Sequence, residues 1–399
     1  MVLSSLFPSS VQPGAGLFVR ERMFRVGAHL PVAVVSPQPW FPLQGLLRRL
    51  KPGFRPGAPR HEVQHGHDVW FPRFFSLPGL LKQFDGWFMA LGARSRLAQL
   101  KREGRLDLID AHFGYPDGFA ATLLGRWLGV PVTITLRGTE TRHARDAALA
   151  PRLRSALQRA TRVFAVADSL RQVALGLGIA DAKLQVVGNG VDLARFHPLP
   201  QSQARRSLDI AEGAPVLVSV GGLVERKGFH RVIEQLPALR ESFPGLVYLV
   251  VGGASPEGDM GPALQQKVAQ LGLQDCVRFL GPLPPDQLRV PLSAADVFVL
   301  ATRNEGWANV FLEAMACGLP VVTTAVGGNA EVVCRPELGA VMPFGDGPAL
   351  GRAIAQALKT PWDRQALRRH AQDNTWDRRV ATLLAEFAAL HAAHIRTER

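Results

Sequence analysis

The chain has 399 residues, of which 47% are apolar and 20% charged, a composition typical of a folded protein with enough sequence for two cores. Its formal net charge of +13 is compatible with phosphorylated substrates, an anionic membrane surface or nucleic acid. The basic residues are scattered and no DNA- or RNA-binding motif accompanies them, so the sequence predicts no nucleic-acid partner.

Short apolar runs alternate with amphipathic stretches along the whole chain. Because each strand–helix–strand crossover must cover a sheet face, this alternation predicts α/β domains with doubly wound parallel sheets. In the first half, the predicted strands are 2–6, 31–35, 106–110, 130–136, 162–166 and 184–187, and the predicted helices are 80–102, 119–128 and 151–160. In the second half, the strands are 215–220, 246–251, 277–280, 297–301, 320–323 and 339–342, and the helices are 228–239, 262–271, 309–317 and 348–358.

Turn residues at 188–192, followed by a proline-rich polar stretch, indicate a linker between the two halves. We therefore predict an N-terminal domain over residues 1–198 and a C-terminal domain over 199–360. Residues 361–399 are predicted to form C-terminal helices that pack back on the N-terminal domain. The last of these helices carries an apolar stripe made of Val380, Leu383, Leu384, Phe387 and Leu390.

The sequence indicates neither a membrane span nor a leader. No apolar run approaches the roughly 20 residues needed to cross a bilayer, and the N-terminus lacks the basic start of a signal peptide. Cys276, Cys317 and Cys334 are odd in number and lack metal-ligand spacing, so we interpret them as buried small residues in a reducing compartment. These features predict a cytoplasmic protein.

The first candidate site follows the predicted strand 297–301. The polar segment after that strand contains Glu305, and the next helix carries Asn309, Val310 and Glu313. Ligands of open parallel sheets bind at the carboxyl ends of strands, and amides at a helix N-terminus attract phosphate. Two carboxylates so placed can accept hydrogen bonds from separate hydroxyl-bearing parts of one ligand. Solvated surface carboxylates are the alternative, although Glu313 has apolar neighbours among which an unpaired acid is costly.

A second candidate site opens the second half, where strand 215–220 runs into Gly221-Gly222 and then Arg226-Lys227. Paired glycines allow the backbone to approach a ligand closely. Two cations at a strand end can clamp a diphosphate and stabilise the charge of a leaving group. A solvated Arg-Lys pair is the alternative, and no Gly-Lys-Ser/Thr follows that would make a P-loop.

In the first half, Gly14 and Gly16 lie in a loop between the first strand and a helix, without the third glycine of a dinucleotide fingerprint. His112, Arg137 and Glu140 follow two other strands, so we expect them at the ligand crevice formed by the carboxyl ends of the strands. For His112, a purely structural role is the alternative. The chain has no Asp-x-Asp motif, no paired histidine ligands and no Gly-x-Ser-x-Gly motif. We therefore predict no metal site and a mechanism that relies on basic side chains.

Taken together, these residues resemble the retaining GT-B glycosyltransferases of family 4, the glycogen-synthase-like and polysaccharide-biosynthesis group. The resemblance extends from Ser5 to about Trp376 and rests on five motifs in the same order. It implies two Rossmann-like domains that face each other across a cleft, a nucleoside diphosphate sugar as donor substrate, and no cofactor. The five motifs are the Gly14/Gly16 loop, His112, the hinge at 188–192, Arg226-Lys227 and Glu305-x7-Glu313.

The resemblance also implies residue roles. Arg226 and Lys227 would bind the donor diphosphate and assist its departure, and Glu305 would contact the donor sugar. Glu313 would hold the ribose hydroxyls, and the amides near Asn309 and Val310 would meet sugar and phosphate. His112 and the Gly16 loop would line the sugar and acceptor side. Retention would follow from front-face attack with the departing phosphate as base. Arg137 departs from the family, because many relatives carry a histidine there.

Residues 40–105 interleave aromatic side chains with Arg and Lys, which suits an interfacial surface that presents a lipid-linked acceptor; ordinary core is the alternative. The sequence thus predicts a hexosyltransferase of cell-surface polysaccharide biosynthesis that uses a saccharide or lipid-linked acceptor and makes peripheral contact with the anionic inner membrane surface. A nucleotide-sugar epimerase or phosphorylase of the same fold and a non-catalytic nucleotide-sugar binding protein are the alternatives.

Overall fold

A computed structural model of the chain describes residues 1–50, 54–255 and 257–398, which fold into two compact units. Unit 1 comprises Met1–Asn189 together with the chain from Trp376 onward, and unit 2 comprises Gly190–Thr375.

The strands of unit 1 are β1 Val2–Leu3, β2 Val34–Val35, β3 Gln38–Trp40, β4 His61–Gln64, β5 His67–Trp70, β6 Arg73–Phe75, β7 Ile109–His112, β8 Val132–Leu136, β9 Arg162–Ala165 and β10 Leu184–Val186. Its first seven helices are α1 Leu17–Gly27, α2 Gln44–Leu50, α3 Asp85–Arg102, α4 Phe119–Leu128, α5 Glu140–His143, α6 Ala150–Arg159 and α7 Asp168–Gly176. The main sheet has the order β10-β9-β8-β7-β1-β2-β5-β4, and β3 pairs with β6 in a second sheet. All pairings are parallel except the hairpin of β4 and β5.

The strands of unit 2 are β11 Val216–Val220, β12 Val247–Val251, β13 Val277–Gly281, β14 Val297–Leu300, β15 Val321–Thr324 and β16 Gly339–Met342. Its helices are α8 Gln201–Arg206, α9 Phe229–Ile233, α10 Leu236–Ser242, α11 Gly261–Gln270, α12 Arg289–Ala294, α13 Asn309–Ala316, α14 Asn329–Val332, α15 Gly347–Lys359 and α16 Arg364–Asp373. The sheet is parallel throughout, in the order β13-β12-β11-β14-β15-β16. This is the Rossmann order 3-2-1-4-5-6, with apolar clusters on both faces, and its direction reverses between β11 and β14.

The last helix, α17 Trp376–Glu398, belongs to unit 1. Val380, Leu383 and Phe387 of the predicted stripe are buried in one apolar cluster with Val2 and Phe164 of the main sheet. The helix is also tied to β9 by an ion pair, in which Arg162 Nε lies 3.1 Å from Glu386 Oε2.

The unit boundaries differ from the predicted ones at 198 and 360. Unit 2 begins at Gly190, because Phe196 is buried in its core and Val191 forms an isolated bridge with Thr375. It extends to Thr375, because Leu367 of α16 is fully buried in the same core. Of the predicted C-terminal helices, only α17 packs in unit 1.

The segment between β2 and α3 contains all the described strands that were not predicted, β3 to β6, together with the unpredicted helix α2. The predicted first strand is also shorter, because β1 ends at Leu3 where the chain turns away from the sheet. Cys276 and Cys317 are buried as expected, but Cys334 is exposed, since it lies beyond α14 and outside the core. None of the described helices is long and apolar enough to cross a membrane.

Candidate active site

The first site lies in unit 2, at the carboxyl ends of β11 and β14, where the strand order reverses. The backbone carbonyl of Arg226, in the loop after β11, accepts hydrogen bonds from the amide of Arg303 at 2.7 Å and from the hydroxyl of Thr302 at 2.9 Å. These bonds join the two loops that carry the predicted donor-site residues. An open parallel sheet binds its ligands at such a reversal.

Glu305 is the centre of this site. Its Oε1 atom lies 2.5 Å from Lys227 Nζ and 3.2 Å from Arg226 Nη1, and only 9% of its side chain is exposed. The structure therefore brings together the three residues that the sequence placed at this crevice. A half-buried cluster of two cations and one carboxylate retains a positive excess, which suits an anionic ligand.

A second carboxylate, Glu257, cancels that excess while no ligand is bound. Glu257, in the loop after β12, accepts two hydrogen bonds from Arg226, at 2.6 Å from Nε and 2.7 Å from Nη2. Hydrogen bonding to Glu257, together with the charges of Glu257 and Glu305, raises the pKa of Arg226 above its ordinary value despite partial burial. The sequence analysis missed Glu257, because its contact spans a large sequence separation and no local motif announces it.

Two glycines allow the loops to approach this closely. Gly228 has a φ of 77°, and a Cβ there would lie 1.9 Å from the carbonyl oxygen of Ala301. Gly327, after β15, has a φ of 52°, and a Cβ there would lie 1.6 Å from the carbonyl oxygen of Glu305. Side chains at either position would push apart the backbone segments that form the site.

Helix α13 begins four residues after Glu305, and its two faces differ in burial. Phe311, Leu312 and Met315 are fully buried in the core. Asn309 and Val310 in the first turn and Glu313 in the next are partly exposed. Because residues three and four apart share a helix face, these predicted ligand residues line one surface near the helix N-terminus.

Unit 1 has its own reversal of strand order, between β1 and β7. Gly16 lies in the loop after β1 with a φ of 66°, and a Cβ there would lie 2.2 Å from the carbonyl oxygen of Leu6. The tight loop therefore requires a glycine at this position. Nothing lies within 4 Å of a Cβ built on Gly14, so the structure gives no steric reason for that glycine.

His112 ends β7 and is fully buried. Its Nδ1 atom accepts hydrogen bonds from Arg137, at 2.8 Å from Nη2 and 3.2 Å from Nε, while its Nε2 atom lies 3.2 Å from Asp110 Oδ2. The ring proton is therefore assigned to Nε2, facing Asp110. Burial, and secondly the charge of Arg137, lower the pKa of His112 to about 4, so the imidazole is neutral at pH 7.

Glu140 organises the loops around this histidine. The carboxylate is fully buried and accepts hydrogen bonds from the amides of Gly114 at 2.8 Å, Arg137 at 3.0 Å and Gly138 at 2.8 Å. Arg137 in turn donates from Nη1 to Asn189 Oδ1 at 2.8 Å. Glu140 therefore fixes the backbone of the loop after β8 and, through it, the position of Arg137.

Asp110 and Asp117 are polar site residues that the sequence analysis did not single out, and Asn189 entered it only as part of the hinge at 188–192. Asp110 carried a signal, because it lies two residues before His112 on a strand and so shares its face. Asp117 is buried beside the end of β1, where its carboxylate accepts hydrogen bonds from the amide and the hydroxyl of Ser5. Among the described residues, no group of His, Cys, Asp and Glu side chains is arranged to hold a metal ion.

Two family models match the chain. The model described as "Glycosyltransferase Family 4" matches residues 33–195, and the model described as "Glycosyl transferases group 1" matches residues 200–374. A D-inositol 3-phosphate glycosyltransferase of Actinosynnema mirum is 34% identical over 332 residues, which are 78% of each chain. A putative teichuronic acid biosynthesis glycosyltransferase of Bacillus subtilis is 29% identical over 96% of this chain and 92% of that protein.

Solved structures show the same fold. A sucrose-phosphate synthase from Thermosynechococcus elongatus superposes with a TM-score of 0.77 and 20% identity over 98% of each chain. The Anabaena protein HepE in complex with UDP superposes with a TM-score of 0.73 and 19% identity over 97% of this chain and 99% of that one.

Proposed function

Because this chain belongs to glycosyltransferase family 4 and is a glycosyltransferase of GT-B fold, we propose that it transfers a sugar from a nucleoside diphosphate sugar to a saccharide or lipid-linked acceptor. In this proposal the anomeric configuration is retained and no metal ion takes part. The observation that carries it is the cluster of Arg226, Lys227 and Glu305 at the reversal point of the unit 2 sheet.

The donor diphosphate would be bound by Arg226 and Lys227. Both side chains already bind carboxylate oxygens, so each is oriented to bind phosphate oxygens in the same way. As the bond between the anomeric carbon and the phosphate oxygen breaks, negative charge develops on the diphosphate. Two fixed cations stabilise that charge, as a divalent metal ion does in other transferases.

The remaining donor contacts would come from α13 and from Glu305. Once phosphate replaces carboxylate on the two cations, Glu305 can accept a hydrogen bond from a sugar hydroxyl. Glu313 would accept hydrogen bonds from the ribose hydroxyls, since it shares a partly exposed face with Asn309 and Val310 at the helix N-terminus. Backbone amides at a helix N-terminus attract phosphate and sugar oxygens.

Transfer with retention would proceed on the face from which the leaving group departs. The acceptor hydroxyl oxygen bonds to the anomeric carbon as the bond to the phosphate oxygen breaks, and the hydroxyl proton passes to that departing phosphate oxygen. No side chain needs to act as a nucleophile in this sequence of events. His112 would serve as a positioning residue for Arg137, because its ring is fully buried and its Nδ1 atom accepts hydrogen bonds from the Arg137 guanidinium.

The proposals of a lipid-linked acceptor and of a peripheral membrane location rest on the exposed apolar side chains of unit 1. More than half of the exposed large apolar residues of the described chain lie between residues 40 and 91, alongside Arg48, Arg49, Arg73 and Lys82. Phe41, Trp70, Phe71 and Phe74 are buried, so part of the aromatic segment is ordinary core. The exposed set is Trp40, Leu43, Leu46, Leu47, Val63, Leu80, Leu81, Phe84, Trp87 and Leu91.

Flotation with vesicles tests the membrane proposal. We expect the wild type to bind anionic vesicles and not zwitterionic ones. Leu46→Glu should lose this binding, whereas Leu271→Glu, at an exposed position of unit 2, is the control that should keep it. Equal flotation of the wild type with both vesicle types, or none at low salt, would contradict it.

The donor site is tested by calorimetric titration with UDP, GDP, ADP and their glucose conjugates in the presence of EDTA. We expect one nucleotide to bind selectively, with affinity lowered about ten-fold or more in Lys227→Ala and Glu313→Ala. Lys267→Ala and Glu234→Ala are matched controls, since those residues form a partly exposed ion pair elsewhere in unit 2. Binding that requires a divalent metal would contradict the proposed mechanism.

Stereochemistry is tested with water as acceptor. When the preferred donor is hydrolysed slowly by the protein, the anomer first seen by proton NMR should match the donor's configuration. Release of the opposite anomer would exclude retention. A new nucleotide sugar without released nucleoside diphosphate would indicate an epimerase, and binding without turnover would indicate a non-catalytic protein.

A further inference from the structure

The surroundings of Arg137 are unusual for a buried cation. Arg137 follows β8, only 8% of it is exposed, and the described hydrogen bonds of its side chain go to His112 Nδ1 and Asn189 Oδ1. Both acceptors are neutral groups. A charge held in a protein interior is normally paired with an opposite charge.

No carboxylate of the described chain lies within 4.0 Å of the Arg137 guanidinium. Asp110 and Glu140 are near enough to act electrostatically, and burial outweighs them to lower the pKa of Arg137 well below its ordinary value. Asp110 is reached only through His112, and Glu140 contacts the backbone amide of Arg137 rather than its side chain. The cation is therefore held in place by neutral contacts and is not directly neutralised.

The guanidinium also retains donor capacity. It has five N–H groups, and the described hydrogen bonds use three of them, one each from Nε, Nη1 and Nη2. The two remaining N–H groups are one on Nη1 and one on Nη2, and each can donate to an oxygen of a carboxylate or phosphate.

The other described neighbours of Arg137 do not neutralise its positive charge. The ring of Phe18, in the first turn of α1, lies 5.2 Å from the guanidinium carbon. That first turn contains no acidic residue, and no side chain caps it. Arg22, one turn further along α1, is a second fully buried cation and increases the positive potential around Arg137.

We propose that Arg137 binds an anionic substituent, a carboxylate or a phosphate, on the acceptor sugar held by unit 1. This inference rests on the proposed transferase function and specifies its acceptor as an acidic sugar. The neutral His112 orients the guanidinium through Nδ1, and Asn189 holds its Nη1 atom, so the plane of the guanidinium is fixed.

The test is a set of NMR saturation-transfer titrations of the full chain with D-glucuronate, D-glucose 6-phosphate and D-glucose. We expect the wild type to bind one of the acidic sugars about ten-fold or more tightly than glucose. Which acidic sugar is preferred distinguishes carboxylate from phosphate. Arg137→Gln should bind glucose as the wild type does and lose the preference for the charged sugar.

Two further variants and a titration of the same samples with UDP serve as controls. Arg137→Lys retains a cation without the planar guanidinium and should keep part of the preference. Arg171→Gln, at a partly exposed arginine of α7, should keep all of it. UDP titrated into the same samples reports on unit 2, so failure of the donor site is distinguishable from failure of this subsite. Equal affinity of the wild type for the three sugars would overturn the inference, as would a parallel loss of all three in Arg137→Gln.

Discussion

At the residue scale, the donor cations of unit 2 already bind carboxylates that a diphosphate would have to displace. Arg226 is held at two nitrogens by Glu257 and at a third by Glu305, while Lys227 is paired with Glu305. Glu305 is nearly buried, but about half of the Glu257 side chain is exposed. Glu257 is therefore the carboxylate that leaves most readily, because water can solvate it after it is displaced.

Replacing Glu257 should tighten nucleotide binding. A partly exposed ion pair is worth up to about 1 kcal/mol, so Glu257→Gln should lower the Kd of the preferred nucleoside diphosphate by about two- to five-fold. Calorimetry at low ionic strength measures this, with Glu234→Gln as the control at another partly exposed ion pair. Weaker binding in Glu257→Gln would instead mean that Glu257 holds Arg226 in its binding orientation.

Asp117 is a residue-scale feature of unit 1 with a consequence for pH dependence. Burial raises the pKa of its carboxyl from 3.8 to about 7, although hydrogen bonds from Ser5 act in the opposite direction. Because the folded state then binds this proton more strongly than the unfolded state, stability falls as the pH rises from about 4 to about 7 and is level above that range.

Asp117→Asn removes this titration while keeping an oxygen to accept from Ser5. On going from pH 5 to pH 8, the variant should therefore lose less thermal stability than the wild type, up to about 3 kcal/mol less. Unfolding midpoints at the two pH values measure the difference, and Asp146→Asn, an exposed residue of the same unit, should follow the wild type. An identical pH response of Asp117→Asn and the wild type would show that the carboxyl is ionised throughout.

Sequence patterns identified site residues where the fold itself brings them together. Glu305 and Lys227 follow β14 and β11, and the carboxyl ends of neighbouring parallel strands necessarily meet, so their proximity was predictable. His112 was placed correctly at a strand end, but its complete burial depends on α1, β8 and the loop at Asn189. Glu257 could not be predicted, because only the three-dimensional path of the loop after β12 brings it to Arg226.

At the element scale, the site depends on close approach between loops. The segment after β15 passes so near Glu305 that a Cβ on Gly327 would collide with the Glu305 carbonyl oxygen. Gly327→Ala should therefore displace the Glu305 loop, destabilise unit 2 by about 2 kcal/mol or more, and weaken nucleotide binding about ten-fold. Chemical denaturation and calorimetry measure the two effects.

Gly213→Ala is the control that separates collision from backbone strain. Gly213 also has a positive φ, of 84°, but nothing lies within 4 Å of its added Cβ. Gly213→Ala should lower the free energy of unfolding by only about 1 kcal/mol and leave nucleotide binding unchanged. If both variants lower the free energy of unfolding equally and both bind the nucleotide normally, the close contact at Gly327 has no role in shaping the site.

Elements were predictable in proportion to how fully they are buried. The runs that form β11, β12 and β14 are apolar except for Ser219, because helices cover both faces, and they were predicted almost to the residue. The hairpin of β4 and β5 is half-exposed and mixes histidine with apolar residues, so no clear alternation marked it. Its two-residue turn, His65-Gly66, with positive φ at both positions, was the available signal.

At the scale of the whole molecule, composition predicted two cores, but the division of the chain between them depends on packing. The hinge at 188–192 was visible as turn chemistry, whereas the assignment of Phe196 and of α16 to unit 2 depends on which core buries them. The chain also returns to unit 1 after completing unit 2, so unit 1 is built from two separate segments. Its stability must therefore depend on a helix that is remote in sequence.

Leu383 of α17 tests that dependence. It is 1% exposed and packs in the cluster that contains Val2 and Phe164, so Leu383→Ala should destabilise unit 1 by about 2–4 kcal/mol through lost burial and a residual cavity. Hydrogen exchange should show faster exchange in peptides from α1 and β9, which share the cluster. Leu271→Ala, at an exposed position of unit 2, should change stability by less than about 0.5 kcal/mol. Unchanged protection of α1 and β9 in Leu383→Ala would mean that unit 1 holds its core without α17.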